Sequence, residues 1–364
     1  MPRNDSSGVV ALMAQQKNEP VTTCTIGFDS KTFDEIRFAK KIAKLYNTDH
    51  HEFTVKNNVE AILKDLAYHF DEPFADSSAV PTYYVSKLAR QKVTVALSGD
   101  GGDENFAGYE KYYLDDIENR IRRKIPRGIR KSICPFLSHL LAPWNPAVFR
   151  KGSTLLKTLS FESDYGFYLT NTAIDDSLWR RLITEETKKQ IGDYDPFSVT
   201  QYYYNKADTD NHLSKILYTD LKSYLPGDIL VKVDKMSMAN SLEVRAPILD
   251  HKVIEFAASI PASFKYNRGE KKYVLKHAFK EILPDEIMYR KKMGFSVPLA
   301  EWFCRELKDV SFSYLLSKDA RVNHFFKPRQ LKEVWALHQS RKRNYATFLW
   351  SLLMFELWYR EFIC

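Results

Sequence analysis

The feature that most constrains this chain is a short apolar strand that runs directly into a glycine-rich turn. The segment reads Val-Ala-Leu-Ser-Gly-Asp-Gly-Gly-Asp-Glu over residues 95–104. Three glycines within four positions, Gly99, Gly101 and Gly102, permit left-handed backbone and close approach of another group. A strand end followed by a helix start points free N–H groups at an anion. The segment therefore predicts an anion site beyond the end of a strand.

Three acidic residues share this turn with the glycines. Asp100, Asp103 and Glu104 would repel a phosphate group on their own, so a Mg²⁺ ion held between acid and phosphate is the natural resolution. The alternative is a tight surface turn whose acids are simply favourable at a helix N-terminus. The turn alone leaves both interpretations open.

Around this turn, the first hundred residues alternate helix and strand signals. A capping box at Thr32 and Glu35 predicts a helix start. Predicted strands cover residues 21–28, 48–55 and 92–97, and predicted helices cover residues 7–16 and 57–70. Such alternation predicts an α/β fold with a parallel sheet and helices on its faces. Ligands of such sheets bind beyond the carboxyl ends of the strands, where residues 98–104 lie.

The composition, at 364 residues with 44% hydrophobic and 27% charged, indicates an ordinary globular protein. The net charge of +8 is densest over residues 120–131, which lack zinc-ligand spacing and interleaved aromatics, so a solvated helix face is favoured over nucleic-acid binding. Four separated cysteines without a Cys-x-x-Cys pair suit a reducing, cytoplasmic location. The apolar end, residues 346–364, is too short and too charged for a membrane span and predicts a buried terminal helix.

Strand signals almost vanish after residue 213. We therefore expect three parts: an α/β nucleotide-binding part at 1–110, a basic and helical insertion at 111–212, and a helical part at 213–364 that closes over the site. In the third part, Asp228 and Asp234 lie on a predicted helix that is apolar on several sides, and Glu243 and Arg245 follow it. Solvated pairs four residues apart would fit the alternating charges, but the apolar surroundings favour a buried network around a site.

A second basic segment, Arg290-Lys291-Lys292, precedes a loop with little helical character. Cations on a loop that faces a phosphate site can stabilise the charge that develops on departing pyrophosphate. An exposed basic loop is the alternative. The triplet alone does not decide between them.

Taken together, residues 98–109, 230–250 and 289–295 resemble the nucleotide-site and substrate-site motifs of the asparagine synthetase family. They read Ser-Gly-Asp-Gly-Gly-Asp-Glu-x-Phe-x-Gly-Tyr, Leu-Val-Lys-Val-Asp-Lys-Met-Ser-Met-Ala running on to Leu-Glu-Val-Arg-Ala-Pro-Ile-Leu-Asp, and Tyr-Arg-Lys-Lys-Met-Gly-Phe. The likeness runs from about Asp5 to Trp358. It implies an ATP-pyrophosphatase fold, a parallel sheet with helices on both faces, followed by a mostly helical C-terminal part.

The family's reaction adenylates the side-chain carboxylate of aspartate with ATP, releases pyrophosphate, and lets ammonia displace AMP to give asparagine. The resemblance implies that Asp5 and Asp103 bind Mg²⁺, that Asp100 stands near the acyl-adenylate, and that Lys292 stabilises the transition state and pyrophosphate. It implies nucleotide contacts by Ile26, Ser98 and Gly99, pyrophosphate contacts by Asp5, Ser6 and Ser7, and a substrate pocket shaped by Asp228, Asp234, Glu243 and Arg245.

Two departures from the family pattern qualify these implications. The family's first loop reads Ser-Gly-Gly-x-Asp-Ser-Ser after a core strand, but this chain has Met1-Pro2-Arg3-Asn4 before Asp5. Pro2 lacks an N–H and Arg3 adds a side chain where close backbone approach is needed, which bears on pyrophosphate binding. The family's N-terminal glutaminase domain also has no counterpart, so we expect a truncated or split synthetase. Its ammonia would be free or would come from a glutaminase domain or subunit.

Several alternatives stay open at this point. The chain could activate another carboxylate, like a β-lactam synthetase-like cyclase or an amidotransferase that modifies a peptide or a surface sugar. It could also be an inactive remnant or a binding subunit, and a homodimer is compatible with either. ATP, Mg²⁺, aspartate and ammonia are the expected ligands, whereas neither a nucleic acid nor a membrane is an expected partner.

Overall fold

The first part of the chain alternates helices and strands, which confirms the α/β prediction. The structure is a computed structural model that describes residues 4–28, 36–55, 59–141, 147–290 and 297–363. Its first elements are α1 (Asn4–Gln16), β1 (Thr22–Phe28), α2 (Ile36–Leu45), β2 (Asp49–Val55), α3 (Leu63–Phe70), α4 (Ala79–Ala89), β3 (Val95–Leu97) and α5 (Gly102–Asn105), with a 3₁₀ turn at Glu60–Ile62. The predicted capping box at Thr32 and Glu35 lies outside the described residues.

Two parallel strand pairs form the sheet structure of this part. β1 and β2 pair in register from Thr22 opposite Asp49 to Phe28 opposite Val55. β3 pairs with β4 (Glu243–Arg245), although strand signals almost vanish after residue 213 and no strand was predicted there. The prediction missed β4 because three residues are too few to show an alternating pattern.

The sheet is smaller than predicted. Among the described residues, the β1–β2 and β3–β4 pairs are separate, and a third pair, β5 (Tyr266–Asn267) with β6 (Glu270–Lys271), is antiparallel. β3 covers only residues 95–97 of the predicted strand at 92–97. Val95 and Leu97 stay 41% and 42% exposed, so β3 is held mainly by its pairing with β4.

Helices make up most of the remaining chain. Those of residues 111–212 are α6 (Glu110–Lys124), α7 (Arg127–Leu141), α8 (Ala147–Leu159), α9 (Ser163–Leu169), α10 (Asp176–Leu182), α11 (Glu185–Ile191) and α12 (Phe197–Lys206). Later come α13 (His212–Lys222), a π-helix (Leu225–Leu230), α14 (Val231–Met238), α15 (His251–Ser259), α16 (Ala262–Lys265), α17 (Tyr273–Ala278), α18 (Asp285–Met288), α19 (Leu299–Cys304), α20 (Lys308–Leu316), α21 (Pro328–Gln339) and α22 (Ala346–Phe362). Two 3₁₀ turns cover Pro247–Leu249 and Arg321–His324.

The basic run at residues 120–131 is only partly the solvated face that was predicted. Arg122 and Arg130 are 3% and 6% exposed, whereas Arg123 and Lys124 are exposed. Arg130 donates from Nη1 to the carbonyls of Leu159 and Phe161, both at 3.0 Å. Arg122 donates from Nη2 to the carbonyl of Thr158 at 3.1 Å. The prediction was wrong for these two arginines because their guanidinium groups bond carbonyls of neighbouring segments instead of water.

The largest hydrophobic core surrounds α22, which confirms the prediction of a buried terminal helix. Trp350 and Leu353 of this helix are 1% and 0% exposed and belong to one cluster with Trp302 and Phe303. In the part of the chain that the structure describes, no helix has both the length and the apolar composition needed to cross a membrane.

One buried carboxylate ties α22 to the turn that precedes α21. Glu356 is 0% exposed and accepts hydrogen bonds from the backbone N–H groups of Arg321 at 3.0 Å and Val322 at 2.7 Å. Arg360 pairs with the same carboxylate at 2.6 Å. Glu356 therefore satisfies the first N–H groups of the 3₁₀ turn at Arg321–His324, which would otherwise be buried without partners.

Glu356→Ala is expected to lower the free energy of unfolding by about 3 kcal/mol, because it leaves two backbone donors and a guanidinium without their shared acceptor. Urea unfolding at pH 7 measures the change. Glu361→Ala, an exposed glutamate on the same helix, is the matched control and should cost under about 0.5 kcal/mol. Equal effects of the two substitutions would contradict this account of Glu356.

Candidate functional site

The glycine-rich turn extends directly from β3. The N–H of Ser98 donates to the carbonyl of Arg245 at 2.8 Å, which continues the pairing with β4 by one residue. Gly101 has a φ of +85°, and a Cβ there would lie 2.0 Å from a methyl carbon of Leu249. Both its conformation and its surroundings therefore require glycine at this position.

The first turn of α1 lies against this loop. A Cβ on Gly99 would be 2.6 Å from the backbone nitrogen of Ser6, and a Cβ on Gly102 would be 2.5 Å from Cγ of Asp5. Asp5 and Asp103 are 1% and 4% exposed. The missing side chains of the two glycines are thus what allows the carboxylate of Asp5 to approach the turn.

A lysine ammonium lies between the two carboxylates. Lys272, 6% exposed, forms a short ion pair with Asp5 and a second with Asp103 at 2.8 Å. Burial alone would lower the pKa of Lys272, but the charges of Asp103 and Asp5 outweigh it and raise that pKa. Gly108 makes room, because a Cβ there would be 2.1 Å from Cε of Lys272.

The sequence analysis missed Lys272. It is one of 54 lysines and arginines and follows another lysine, and no local pattern distinguishes it. Its backbone has a φ of +55°, which is uncommon outside glycine and asparagine and is visible only in the structure.

Two carboxylates that share one positive charge are a donor set that fits Mg²⁺. This ion is usually bound by one or two carboxylates together with substrate phosphates. No group of three or more His, Cys, Asp or Glu side chains within the described ranges could hold a metal by itself. The residues present therefore fit a metal that arrives with phosphate, not a metal held by protein ligands alone.

Two serines that were predicted to contact the nucleotide or pyrophosphate lie in the turn and on the adjacent α1. The Oγ atoms of Ser98 and Ser7 are buried, and neither has a hydrogen-bond partner among the residues that the structure describes. A buried hydroxyl without a partner is costly unless a ligand or water satisfies it. Ile26 is 5% exposed within β1, and Asp100 is half-buried in the turn.

A second charged cluster is centred on Lys232 of α14. Its ammonium is 2.6 Å from Oδ2 of Asp76 and 3.9 Å from Oδ1 of Asp228. Burial raises the pKa of Asp76, but the charge of Lys232 and hydrogen bonds from Lys232 and Ser78 outweigh it, so that pKa is lowered. Burial, and after it the charge of Asp76, raises the pKa of Asp228 to about 7. Asp76 was not predicted, because the sequence contains no signal that it would meet Lys232.

Aromatic side chains connect the turn to this second cluster. The hydroxyl of Tyr109 donates to Oε1 of Glu104 at 2.7 Å, and burial, followed by the charge of Asp103, raises the pKa of Glu104 to about 7. The rings of Tyr109 and Tyr224 meet edge to face at 6.1 Å. The ammonium of Lys111 lies 4.3 Å from the centre of the Tyr224 ring. Its positive charge also opposes the rise in the pKa of Asp228. The two clusters are therefore parts of one polar region.

The remaining predicted site residues are placed differently. Glu243 and Arg245 form a 2.6 Å ion pair with each other, and their side chains are 52% and 65% exposed on β4. Asp234 is exposed, and its carboxylate contacts no described partner. The structure does not gather Asp234 to the turn, and Lys292 lies outside the described residues. Their roles stay predictions.

Lys272→Met is expected to lower the free energy of unfolding by about 3–5 kcal/mol, because two buried carboxylates then lose their shared cation. Millimolar Mg²⁺ should restore more stability to this variant than to the wild type, since the ion can take the vacated position between Asp5 and Asp103. Urea unfolding with and without Mg²⁺ measures both effects. Lys271→Met removes the same charge from the adjacent residue and serves as the control. An equal response of the two variants to Mg²⁺ would contradict a shared cation position.

Asp228→Asn is expected to change the pH dependence of stability. Because the folded pKa of Asp228 is raised to about 7, the native state keeps a proton that the unfolded state releases above about pH 4. Unfolding free energy should therefore fall as pH rises from about 4 to 7 in the wild type. In Asp228→Asn this contribution disappears, so its relative stability should rise by about 1–3 kcal/mol over that interval.

Urea unfolding at several pH values measures this difference. Asp234→Asn, an exposed aspartate two turns along the chain, is the control and should follow the wild type at every pH. A constant offset between Asp228→Asn and the wild type, independent of pH, would show that Asp228 is ionised throughout the interval.

Comparisons with known proteins identify the family of this chain. The family model described as asparagine synthase matches residues 5–360. A Bacillus subtilis protein named glutamine-hydrolyzing asparagine synthetase 1 is 31% identical over 361 residues, which cover 98% of this chain and 54% of that protein. A Mycobacterium tuberculosis protein, provisionally named as a glutamine-hydrolyzing asparagine synthetase, is 30% identical over 99% of this chain and 53% of its own length. The chain thus spans about half the length of these relatives.

Proposed function

Because the chain belongs to the asparagine synthase family of carbon–nitrogen ligases, we propose that it is the ATP-dependent ligase part of an asparagine-forming enzyme. The observation that carries the proposal is the meeting of Asp5 and Asp103 around one cation at the glycine-rich end of β3. Asp5 belongs to the first-loop motif of the family and Asp103 to the motif at residues 98–109, so the two motifs meet at this turn. The chain departs from the first-loop motif over residues 1–3.

For the fold, the proposal is an ATP-pyrophosphatase architecture in three parts, at 1–110, 111–212 and 213–364. It is supported by the parallel pairs β1–β2 and β3–β4 and by a turn that begins at the carboxyl end of β3. β4 comes from the third part and pairs with β3 of the first. The third part therefore contributes directly to the strand that presents the turn.

In the proposed reaction, aspartate and ATP give an aspartyl-adenylate and pyrophosphate, and ammonia then displaces AMP to form the amide and release a proton. Asp5 and Asp103 would hold Mg²⁺, which neutralises phosphate charge when it is bound. Ser98 would donate from its buried hydroxyl to the nucleotide, and Ser6 and Ser7 lie at the start of α1, where free N–H groups favour an anion. Lys292 would stabilise charge on the departing pyrophosphate.

Lys272 has a place in this proposal that the sequence did not predict. Its ammonium holds the two carboxylates in position before the nucleotide arrives. A bound cation would compete for the same oxygens, and the ammonium would then be available to a phosphate oxygen nearby. Lys272 would thus position the two carboxylates before the cation and nucleotide bind, and it would contact a phosphate oxygen afterwards.

The second cluster supplies the proton chemistry of the proposal. A carboxyl group with a pKa of about 7, such as Asp228, is suited to accept a proton at neutral pH. Attack of ammonia on the acyl-adenylate requires such an acceptor, because the amide nitrogen must lose one proton. Asp234, Glu243 and Arg245 are proposed to border the substrate pocket from α14 and β4.

The source of ammonia is a separate proposal. The names of the relatives describe glutamine hydrolysis, and this chain spans about half of their length. We propose that a glutaminase domain or subunit supplies ammonia to this chain. Free ammonium would then replace it in an assay of the chain alone.

Exchange of labelled pyrophosphate into ATP by the 364-residue chain, with aspartate and Mg²⁺, tests the adenylation step. We expect exchange that depends on aspartate and falls at least about 100-fold in Asp103→Asn and in Lys292→Ala, since each removes a charge that acts on the phosphates. The change should appear in the exchange rate and not in the far-UV circular dichroism.

Asp309→Asn and Lys318→Ala are matched controls, because both residues are exposed on or after α20. Each should retain exchange within about twofold of the wild type. No exchange by a folded wild-type chain would overturn adenylation by this chain. Exchange that glutamate or another carboxylate supports better than aspartate would overturn the proposed substrate.

A further inference from the structure

A large basic cavity lies apart from the residues of the proposed synthetase site. Its volume is about 970 Å³, and its walls come from α10 with the residues just before it and from the loop between α21 and α22. Its charged lining consists of Asp175, Arg181, Arg341, Lys342 and Arg343. None of the residues of the glycine-rich turn or of the Lys232 cluster contributes to it.

The single acid of the lining, Asp175, forms no ion pair with the cations of the cavity among the described residues, although its charge acts on Arg343. Asp175 caps α10, where its carboxylate accepts from the N–H of Leu178 at 2.9 Å and from the hydroxyl of Ser177 at 2.6 Å. These hydrogen bonds and the more distant charge of Lys157 lower the pKa of Asp175 in spite of its partial burial, which acts in the opposite sense. The carboxylate is thus engaged by its own helix.

The loop that carries three of the cations is held firmly. The N–H of Tyr345 donates to Nδ1 of the buried His338 at 3.1 Å. The N–H groups of Lys342 and Arg343 both donate to the carbonyl of Leu337, at 3.1 and 3.2 Å. The backbone therefore presents consecutive basic side chains from a fixed position, which lowers the entropic cost of binding a ligand.

The basic side chains that line this cavity differ in their hydrogen-bond and ion-pair partners. Arg341 pairs with Glu301 at 3.0 Å, and Arg343 donates to the hydroxyl of Tyr345 at 3.3 Å. The guanidinium of Arg181, on α10, and the ammonium of Lys342, on the loop between α21 and α22, have neither a hydrogen bond nor an ion pair within the described part of the chain. Two cations that face one cavity without an anion leave a local excess of positive charge.

We propose that this cavity binds a small phosphate-bearing anion, of the class of a nucleoside polyphosphate, at a second site separate from the proposed synthetase site. Arg181 and Lys342 would hold the phosphates from two sides, since arginine forms bidentate bonds to phosphate and lysine supplies a point charge. The volume is in the range of cavities that take a ligand of this size, and Ile174 and Leu178 give it an apolar wall.

Calorimetric titration of the full chain with tripolyphosphate, without Mg²⁺, tests this site. We expect saturable binding of one tripolyphosphate by the wild type. Arg181→Gln combined with Lys342→Gln should weaken binding at least about tenfold. A parallel titration of the wild type and of this double variant with ATP distinguishes a nucleotide from a bare polyphosphate. ATP binding that the double variant loses belongs to this cavity, and contact of the base with the apolar wall would make it tighter than the binding of tripolyphosphate.

The matched control is Arg123→Gln combined with Lys124→Gln, which removes the same charge from an exposed face of α6. It should bind tripolyphosphate within about twofold of the wild type. Equal weakening in the two double variants would show a general charge effect and overturn the site. Absence of saturable binding by the wild type would overturn it as well, as would tight binding of an RNA oligonucleotide with none of tripolyphosphate.

Discussion

The ion pairs of Lys272 with Asp5 and Asp103 hold together the three segments from which the candidate site is built. The carboxylates belong to the start of α1 and to the glycine-rich turn, and the ammonium comes from a residue far along the chain. All three side chains are buried, so removal of the ammonium would leave two buried carboxylates without compensation. The positions of the predicted metal ligands thus depend on a cation that the protein itself supplies.

Short-range patterns explain which features could be predicted from the sequence. The strands at 22–28 and 49–55, the turn at Ser98–Glu104 and the buried helix α22 each have a local signature of several residues, and the structure confirms them. Asp5 and Asp103 were paired only through the family resemblance. Their proximity is visible in the structure, and their role in metal binding is a proposal.

Features that depend on distant partners could not be predicted in this way. Lys272, Asp76 and the strand β4 owe their places to residues more than a hundred positions away, and none of them has a local pattern. The predicted exposure of Arg122 and Arg130 was wrong for a related reason. The sequence of a basic helix does not indicate whether backbone carbonyls of other segments contact its arginines. Asp234 shows the opposite case, in which a residue of a recognised motif is exposed.

Because β3 is short, the position of the turn depends strongly on the charged contacts. Three paired residues supply few hydrogen bonds, and the turn that follows is positioned as much by the approach of α1 to Gly99 and Gly102 as by the sheet. Two carboxylates around one ammonium leave an excess of one negative charge, which attracts a divalent cation. A divalent cation would give the cluster a net positive charge, and this charge can then act on phosphate. Ligand binding and the folding of this region would consequently be linked, because they use the same three side chains.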